Sequence, residues 1–214
     1  MGRSPGYREG VTAAGIVLCG GSSRRMGRDK ASLPFGGETL LERTLRLVGE
    51  VVDELLVVAR QGQPVPKGVR VARDPRNGLG PLAGLATGLS AIGARRAFVT
   101  SCDVPFLRPA YVRRMLDLSE DHAITVPLVD GYYMTTSAVY TPEVVPAARE
   151  LIRGGRLRPR FLVEAFPSRI VREDELRDVD PQLESFRNCN TPLDYEQALR
   201  DAGLESKRDR LGPR

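Results

Sequence analysis

The sequence predicts an α/β fold in which a mostly parallel β-sheet lies between two layers of helices and contains an antiparallel strand. Short continuous apolar runs alternate with segments of helical periodicity, which is typical of strands that are buried on both faces and joined by helices. Later in the chain, two apolar runs flank an Asp130-Gly131 turn, which favours a hairpin and therefore an antiparallel pair. The predicted architecture is a Rossmann-like three-layer α/β/α sandwich.

The first half of the chain repeats a pattern of strand followed by helix. Apolar runs predict four strands, over residues 13–18, 54–59, 69–72 and 97–101. A shared apolar face predicts a helix over 40–48, and two further helices are expected to begin at Pro81 and Pro109, because proline suits a first helical turn. Crossovers between parallel strands are right-handed, so these helices are expected to cover the sheet.

The second half is less regular. Strands over residues 122–129 and 133–140 form the expected hairpin. Pro146 would remove a hydrogen bond from the helix that follows Thr141, so regular helix is expected to begin only there. Further along the chain, the pattern predicts a short helix over 158–166, strands over 169–173 and 184–189, and a terminal helix that Thr191 and Pro192 begin and that runs through Ala202.

Length and composition fit one domain. The 214 residues are 41% hydrophobic, which is enough for one sizeable core. We expect a single domain over residues 11–204 and disordered tails at 1–10 and 205–214. There is no apolar stretch of about 18 residues and no apolar core of a secretory signal, so we expect a cytoplasmic protein without a membrane partner.

The charge balance favours a phosphate-containing ligand over a nucleic acid. The formal net charge is +5, but acidic residues are interspersed almost everywhere, and no aromatic residues alternate with the basic ones. Three cysteines, Cys19, Cys102 and Cys189, lie far apart without the spacing of a zinc site or a disulfide framework. We therefore expect buried free thiols and no nucleic-acid partner.

The most informative segment is a glycine-rich loop with the sequence LCGGSSRRMGRDK at residues 18–30, directly after the first apolar run. Gly20 and Gly21 allow the backbone to approach a phosphate closely, while Arg25 and Lys30 supply compensating charge. The loop matches neither G-x-G-x-x-G nor G-x-x-x-x-G-K-[ST]. It predicts a nucleotide site of another class; a surface turn with solvated arginines is the alternative.

Two aspartates follow predicted strands. Asp103 ends the run at 97–101, and Pro105 stops that strand from continuing. Because ligands bind at the carboxyl ends of parallel strands, Asp103 is expected to face the same crevice as the glycine-rich loop and to hold a Mg²⁺ ion that nucleotide phosphates also bind. The alternative is an aspartate that only caps the following turn. We expect Asp103→Ala to abolish turnover and to leave the fold intact.

Asp74 also follows a strand and begins a turn-rich stretch that leads to a helix N-terminus. Taken alone this stretch would be a loop, but together with the other two segments it is expected to shape a base pocket. The single histidine, His122, is interpreted as structural. Catalysis of the Ser-His-Asp or Cys-His type is therefore not expected.

These segments resemble the molybdenum cofactor guanylyltransferases, a nucleotidyltransferase family. The similarity begins with the loop at 18–31 and continues in the family's order through GPLAG at 80–84, CDVP at 102–105 and NCNTP at 188–192. It spans most of residues 13–200, and the first motif is highly specific.

The resemblance implies transfer of GMP from GTP to the terminal phosphate of molybdenum-bound molybdopterin, with release of pyrophosphate and a requirement for Mg²⁺. It implies that Lys30 contacts the phosphates, Asp74 the guanine nucleotide and Asp103 the metal; Arg25 is added from its charge and position. The candidate catalytic residues are therefore Arg25, Lys30 and Asp103, and the candidate nucleotide-binding residues are Leu18, Cys19, Gly20, Gly21, Lys30, Asp74 and Asp103. The implied partners are these small molecules, with transient contact to molybdenum-cofactor proteins.

Two alternatives stay open. The glycine pair at 20–21 is similar to the guanine-specific branch of the family, but residues 131–140 differ from the family pattern in the part expected to face the acceptor. A relative that uses CTP or another phosphorylated acceptor is therefore one alternative. A nucleotide-binding cofactor chaperone without catalytic activity is the other.

Overall fold

The structure is a computed structural model that describes residues 12–20, 29–74 and 79–204. The expected tails lie outside the described residues, as do Gly21 and Arg25. The strands are β1 (Ala13–Leu18), β2 (Pro34–Phe35), β3 (Glu38–Thr39), β4 (Glu54–Ala59), β5 (Arg70–Arg73), β6 (Arg96–Ser101), β7 (Ile124–Val129), β8 (Tyr132–Tyr133), β9 (Ser137–Tyr140) and β10 (Ser168–Arg172). The helices are α1 (Leu40–Gly49), α2 (Gly80–Ala91), α3 (Pro109–Asp117), α4 (Val145–Arg153), α5 (Arg160–Ala165) and α6 (Pro192–Asp201).

One sheet organises the molecule, with the strand order β10-β7-β9-β6-β1-β4-β5. Neighbouring strands are parallel except at β9, which runs antiparallel to both β6 and β7, and at β8, which pairs antiparallel with β7. β2 and β3 form a separate small hairpin. The predicted mostly parallel sheet with an antiparallel strand is confirmed.

Helices cover both faces of this sheet. On one face, Ile16 of β1 and Val58 of β4 pack with Leu85 of α2 in a buried cluster that also takes in α4 and α5. On the other face, Phe98 of β6 packs with Met115 of α3 in a second cluster. Strands that face apolar helices on both sides must be apolar throughout, which explains their continuous hydrophobic runs. None of the helices among the described residues has the length and apolar character needed to cross a membrane.

Local sequence signals position the helix ends. Thr39 caps α1 and Thr191 caps α6, each through a reciprocal capping box, and Pro81 lies in the first turn of α2. A short 3-10 turn precedes α4, which then begins at Val145 with Pro146 in its first turn, close to the expected place. The predicted helix starts are therefore confirmed within a residue or two.

The structure departs from the predicted elements in three places: the short β2–β3 hairpin was not predicted, and the other two departures lie in the second half. The Asp130-Gly131 turn does connect a hairpin, with left-handed φ values of 50° and 79°, but β8 is short and the chain leaves the sheet until Ser137 begins β9. The strand predicted over 184–189 is wrong. There the buried carboxylate of Asp180 accepts hydrogen bonds from the amides of Glu184 (3.1 Å) and Ser185 (2.9 Å), so a tight turn forms in place of strand pairing.

Gly15 marks the closest approach between β1 and α1. A Cβ atom there would overlap Val48 and would lie 3.0 Å from Leu55 Cδ1 and 3.3 Å from Val52 Cγ2. We expect Gly15→Ala to lower the free energy of unfolding by about 1–3 kcal/mol, because these side chains cannot withdraw without loosening the core. Urea denaturation measures the change. Gly49→Ala is the matched control, since its Cβ would lie 3.6 Å from its nearest neighbour. An equal effect of both substitutions would contradict the prediction.

Candidate active site

Four parallel strands end at the same edge of the sheet, and each is followed by a polar or glycine residue. Gly20 comes after β1, Arg60 after β4, Asp74 after β5 and Asp103 after β6. The strand ends are held together, because the amide of Cys19 donates to the Val58 carbonyl at 2.8 Å and the amide of Cys102 donates to the Leu18 carbonyl at 3.2 Å. In open α/β sheets this edge is where ligands bind.

An ion pair joins the end of the glycine-rich loop to the end of β6. Lys30 Nζ donates to Asp103 Oδ2 at 2.7 Å, although 73 residues separate the two in sequence. The side chains are only 15% and 8% exposed. Lys30 Nζ also donates to Asn190 Oδ1 at 2.9 Å. Two candidate residues thus form one charged site, in which a nearly buried cation has two oxygen acceptors.

The backbone that carries Lys30 is fixed by a short 3-10 turn over Lys30–Ser32. Asp29 caps this turn by accepting a hydrogen bond from the Ala31 amide on Oδ1 at 3.1 Å. Ser32 adds a second contact, since its Oγ donates to the Asp29 carbonyl at 2.9 Å. Because Ala31 is buried, the turn is also anchored by packing. The backbone that carries the Lys30 side chain is therefore constrained by hydrogen bonds and by packing.

Asp103 and Asn190 are positioned by the start of α6. The amide of Cys189 donates to the Asp103 carbonyl at 2.9 Å, which ties the two segments together. The carboxylate of Asp194 accepts from the amides of Thr191 (2.8 Å) and Asn190 (3.0 Å). These bonds, that of Thr191 foremost, hold the pKa of Asp194 below its usual value. Asn190 lies in the NCNTP motif at 188–192, but its contact with Lys30 was not predicted from the sequence.

The free oxygen of Asp103 fits a divalent cation. Asp103 Oδ1 is buried and finds no hydrogen-bond partner among the described residues, and such an orphaned carboxylate oxygen is a ligand of the kind that Mg²⁺ prefers. Within the same part of the chain there is no cluster of three or more acidic, histidine or cysteine side chains that could hold a metal. An ion here would therefore complete its coordination with water and phosphate oxygens.

The thiols of Cys102 and Cys189, near the site, are in their neutral form. The hydrogen bond that the Cys102 thiol makes to Cys19 and burial raise the pKa of Cys102, and burial together with the charge of Asp103 raises the pKa of Cys189 to about 12. A protonated thiol is a poor nucleophile. His122 is exposed and precedes β7. Cys102 and Cys189 are therefore not activated nucleophiles, and the described part of the site offers charges and hydrogen bonds to a ligand.

The expected burial of all three cysteines is confirmed, and it leads to a prediction. Cys19, Cys102 and Cys189 are free and at most 5% exposed. We expect their reaction with an aromatic disulfide reagent at pH 8 to be slower in the native protein than in urea by a factor on the order of 10² or more, because reaction requires local opening. Absorbance of the released thiolate follows both rates. Rapid modification of one native thiol would contradict the prediction.

The other described candidates lie along the same edge of the sheet. Leu18 is half-buried and Cys19 is buried. Beside them, a Cβ atom at Gly20 would lie 3.6 Å from Arg60 Cγ, so this glycine borders the end of β4. Asp74 is half-buried at the sheet edge, and its amide donates to the Ala59 carbonyl at 3.0 Å. The structure thus brings Lys30 and Asp103 into contact and places Asp74 two strands away from β1.

Comparisons with known proteins agree on one family. A family model described as "MobA-like NTP transferase domain" matches residues 15–169. A protein of Mycobacterium avium named "Probable molybdenum cofactor guanylyltransferase" is 36% identical over 193 residues, which cover 87% of this chain and 94% of that protein. A protein of Pelotomaculum thermopropionicum with the same name is 32% identical over 191 residues, which cover 88% and 92%.

The solved structures agree on the fold. The crystal structure of molybdopterin-guanine dinucleotide biosynthesis protein A from Archaeoglobus fulgidus superposes with a TM-score of 0.77 at 22% identity. The superposition covers 90% of this chain and 100% of that one. At this level of identity the likeness supports the architecture, while the family model and the relatives above 30% identity establish kinship. The chain belongs to the MobA-like NTP transferase family.

Proposed function

We propose that this protein transfers GMP from GTP to molybdenum-bound molybdopterin, forming molybdopterin guanine dinucleotide and pyrophosphate. The observation that carries the proposal is the Lys30–Asp103 pair, which joins the glycine-rich loop to the end of β6 at the ligand-binding edge of the sheet. The family and the names of the relatives support the same reaction. We further propose that one domain over residues 11–204 performs it in the cytoplasm.

The proposed reaction needs few kinds of catalytic group. The second pKa of a phosphomonoester is about 6, so the attacking phosphate is largely an anion near neutral pH and requires no general base. The protein must hold two anionic substrates in line and stabilise the departing pyrophosphate. The site fits these tasks, since it presents Lys30 and Asp103, and the thiols of Cys102 and Cys189 are protonated.

Each candidate residue has a role in this proposal. Lys30 and Arg25 contact phosphate oxygens, while the backbone from Leu18 to Gly21 lies against the nucleotide. Asp74 contacts the guanine end, and Asp103, whose Oδ1 has no hydrogen-bond partner among the described residues, would hold Mg²⁺. When bound, the ion offsets negative charge on the triphosphate.

The acceptor is proposed to lie beside Asp103. Ser137, the first residue of β9, pairs with Thr100 near the end of β6. Residues 131–136, the part of the atypical segment 131–140 that precedes Ser137, therefore lie at the same edge of the sheet as the candidate site. This placement supports an acceptor cleft between residues 131–136 and Asp103. Release of the product to molybdenum-cofactor proteins through transient contact belongs to the same proposal.

Pyrophosphate release by the purified protein tests the proposal. Molybdenum-loaded molybdopterin with Mg²⁺ and GTP is expected to give pyrophosphate and the guanine dinucleotide, while CTP gives little and a chelator stops the reaction. Preference for CTP would favour the cytidylyl alternative. Tight GTP binding without release, across several phosphorylated acceptors, would contradict the proposal and favour a cofactor chaperone.

A further inference from the structure

We propose that Gln63 is a positioning residue that holds together the two ends of the glycine-rich loop and, through Asp29, sets the position of Lys30. Gln63 lies in the connection between β4 and β5 and is only 5% exposed. Its Nε2 atom donates to the Cys19 carbonyl at 3.2 Å and to Asp29 Oδ2 at 2.8 Å. One amide group therefore bridges the residues on either side of positions 20–28. The inference rests on the proposed function, because it concerns the same nucleotide site.

The side chain of Gln63 is itself held in place. Its Oε1 atom accepts a hydrogen bond from the Arg60 amide at 3.1 Å. The guanidinium of Arg73 donates to the carbonyls of Gln63 and Arg60, each at 2.8 Å. A buried amide is costly unless its donors and acceptor are satisfied, and here they are. Gln63 is thus a rigid connection between the β4–β5 loop and the glycine-rich loop.

The connection continues from Gln63 to Lys30. Asp29 uses Oδ2 for Gln63 and Oδ1 for the Ala31 amide, so one carboxylate links the bridge to the 3-10 turn. That turn carries Lys30, whose Nζ lies 2.7 Å from Asp103. The side-chain hydrogen bonds of Gln63 to described residues go to Cys19, Asp29 and Arg60, and none goes to Lys30 or Asp103. It acts through Asp29, which makes it a positioning residue.

The charges around Asp29 explain why an uncharged hydrogen-bond donor suits position 63. Arg60 forms an ion pair with Asp29, with 3.9 Å between its guanidinium nitrogen and Asp29 Oδ2. Glutamate at position 63 would keep the shape of the side chain but would turn an oxygen towards two acceptors, Asp29 Oδ2 and the Cys19 carbonyl. Both hydrogen bonds would be lost and two carboxylates would repel each other.

Gln63→Glu tests the inference, with Gln61→Glu as the matched control. Gln61 is exposed and lies two residues earlier in the same loop. Its replacement by glutamate therefore adds the same charge without breaking the bridge that Gln63 makes to Cys19 and Asp29. Without nucleotide, we expect Gln63→Glu to raise hydrogen exchange of the Ala31 amide by about tenfold or more, and with GTP present to weaken binding by a similar factor. Gln61→Glu is expected to change either quantity by less than about twofold.

The readouts separate this inference from the proposed function. Exchange of the Ala31 amide is measured without nucleotide, so it reports on the bridge even if the wild-type protein releases no pyrophosphate. If the wild-type protein turns over GTP and Gln63→Glu matches Gln61→Glu in exchange and in GTP affinity, the inference is overturned. Raised hydrogen exchange of the Ala31 amide together with unchanged GTP affinity in Gln63→Glu overturns the inference as well. If Gln63→Glu does not fold, Gln63→Met, which lacks the donor but has similar volume, replaces it with the same expected results.

Discussion

Replacing Asp103 by asparagine is expected to lower the rate of pyrophosphate release by about 10²- to 10³-fold, as removal of one electrostatic group at a transition state does. Asparagine keeps the volume and one oxygen but loses the charge that pairs with Lys30 and that would hold Mg²⁺. An assay of pyrophosphate release at saturating concentrations of GTP and acceptor measures the loss. Asp117→Asn, at the exposed end of α3, is the matched control and is expected to keep full activity.

The structure changes the expectation that Asp103→Ala leaves the fold intact. That expectation treated Asp103 as a strand-end carboxylate that contributes little stability, but the residue is 6% exposed and bonded to Lys30. Removing it leaves a nearly buried ammonium with Asn190 as its remaining hydrogen-bond acceptor among the described residues. Asp103→Ala should therefore lower the melting temperature, and Asp103→Asn should lower it less. Full activity in a folded Asp103→Asn variant would remove this residue from the proposed site.

Lys30→Met is expected to lower kcat for pyrophosphate release by about 10²-fold and to raise KM for GTP, because methionine fills similar space without the charge that offsets phosphate oxygens. Lys67→Met is the control, since Lys67 is exposed in the β4–β5 connection. Steady-state kinetics with varied GTP separate the two parameters.

The rate of the Lys30→Met variant at high Mg²⁺ distinguishes two roles of Lys30, contact with the phosphates and balance of the Asp103 charge. The lysine now bonds to Asp103 Oδ2, so its removal also exposes the carboxylate to a competing cation. If Lys30 acts on phosphate, saturating Mg²⁺ leaves the variant slow. Full recovery of the rate in high Mg²⁺ would show that Lys30 only balances the charge of Asp103, and would contradict its proposed contact with the nucleotide.

Much of the fold could be predicted because its signals are local. β1 and β4 have the predicted bounds, since a continuous apolar run between polar turns encodes a strand buried on both faces. Thr191 caps α6 as predicted, because a capping box needs only residues within one turn. Asp103 was identified in the same way, as an acidic residue directly after an apolar strand.

The failures arose where a distant or buried group overrides local preference. Residues 184–189 have strand-forming character, yet the fully buried Asp180 captures two of their amides and forms a turn. Gln63 is a polar residue in a loop, with no motif to distinguish it from Gln61. Its partners lie 34 and 44 residues away, so only the closed fold makes its contacts visible.

Chain order and side-chain chemistry were enough to predict most of the strands, the helix starts and the acidic end of β6. These depend on periodicity, turns and charge among near neighbours. Which polar groups meet was decided by tertiary structure alone: Lys30 reaches Asp103 across 73 residues and Asn190 across 160. Such pairings follow from the order and direction of strands in the sheet, because parallel strands bring their carboxyl ends to one edge whatever their separation along the chain.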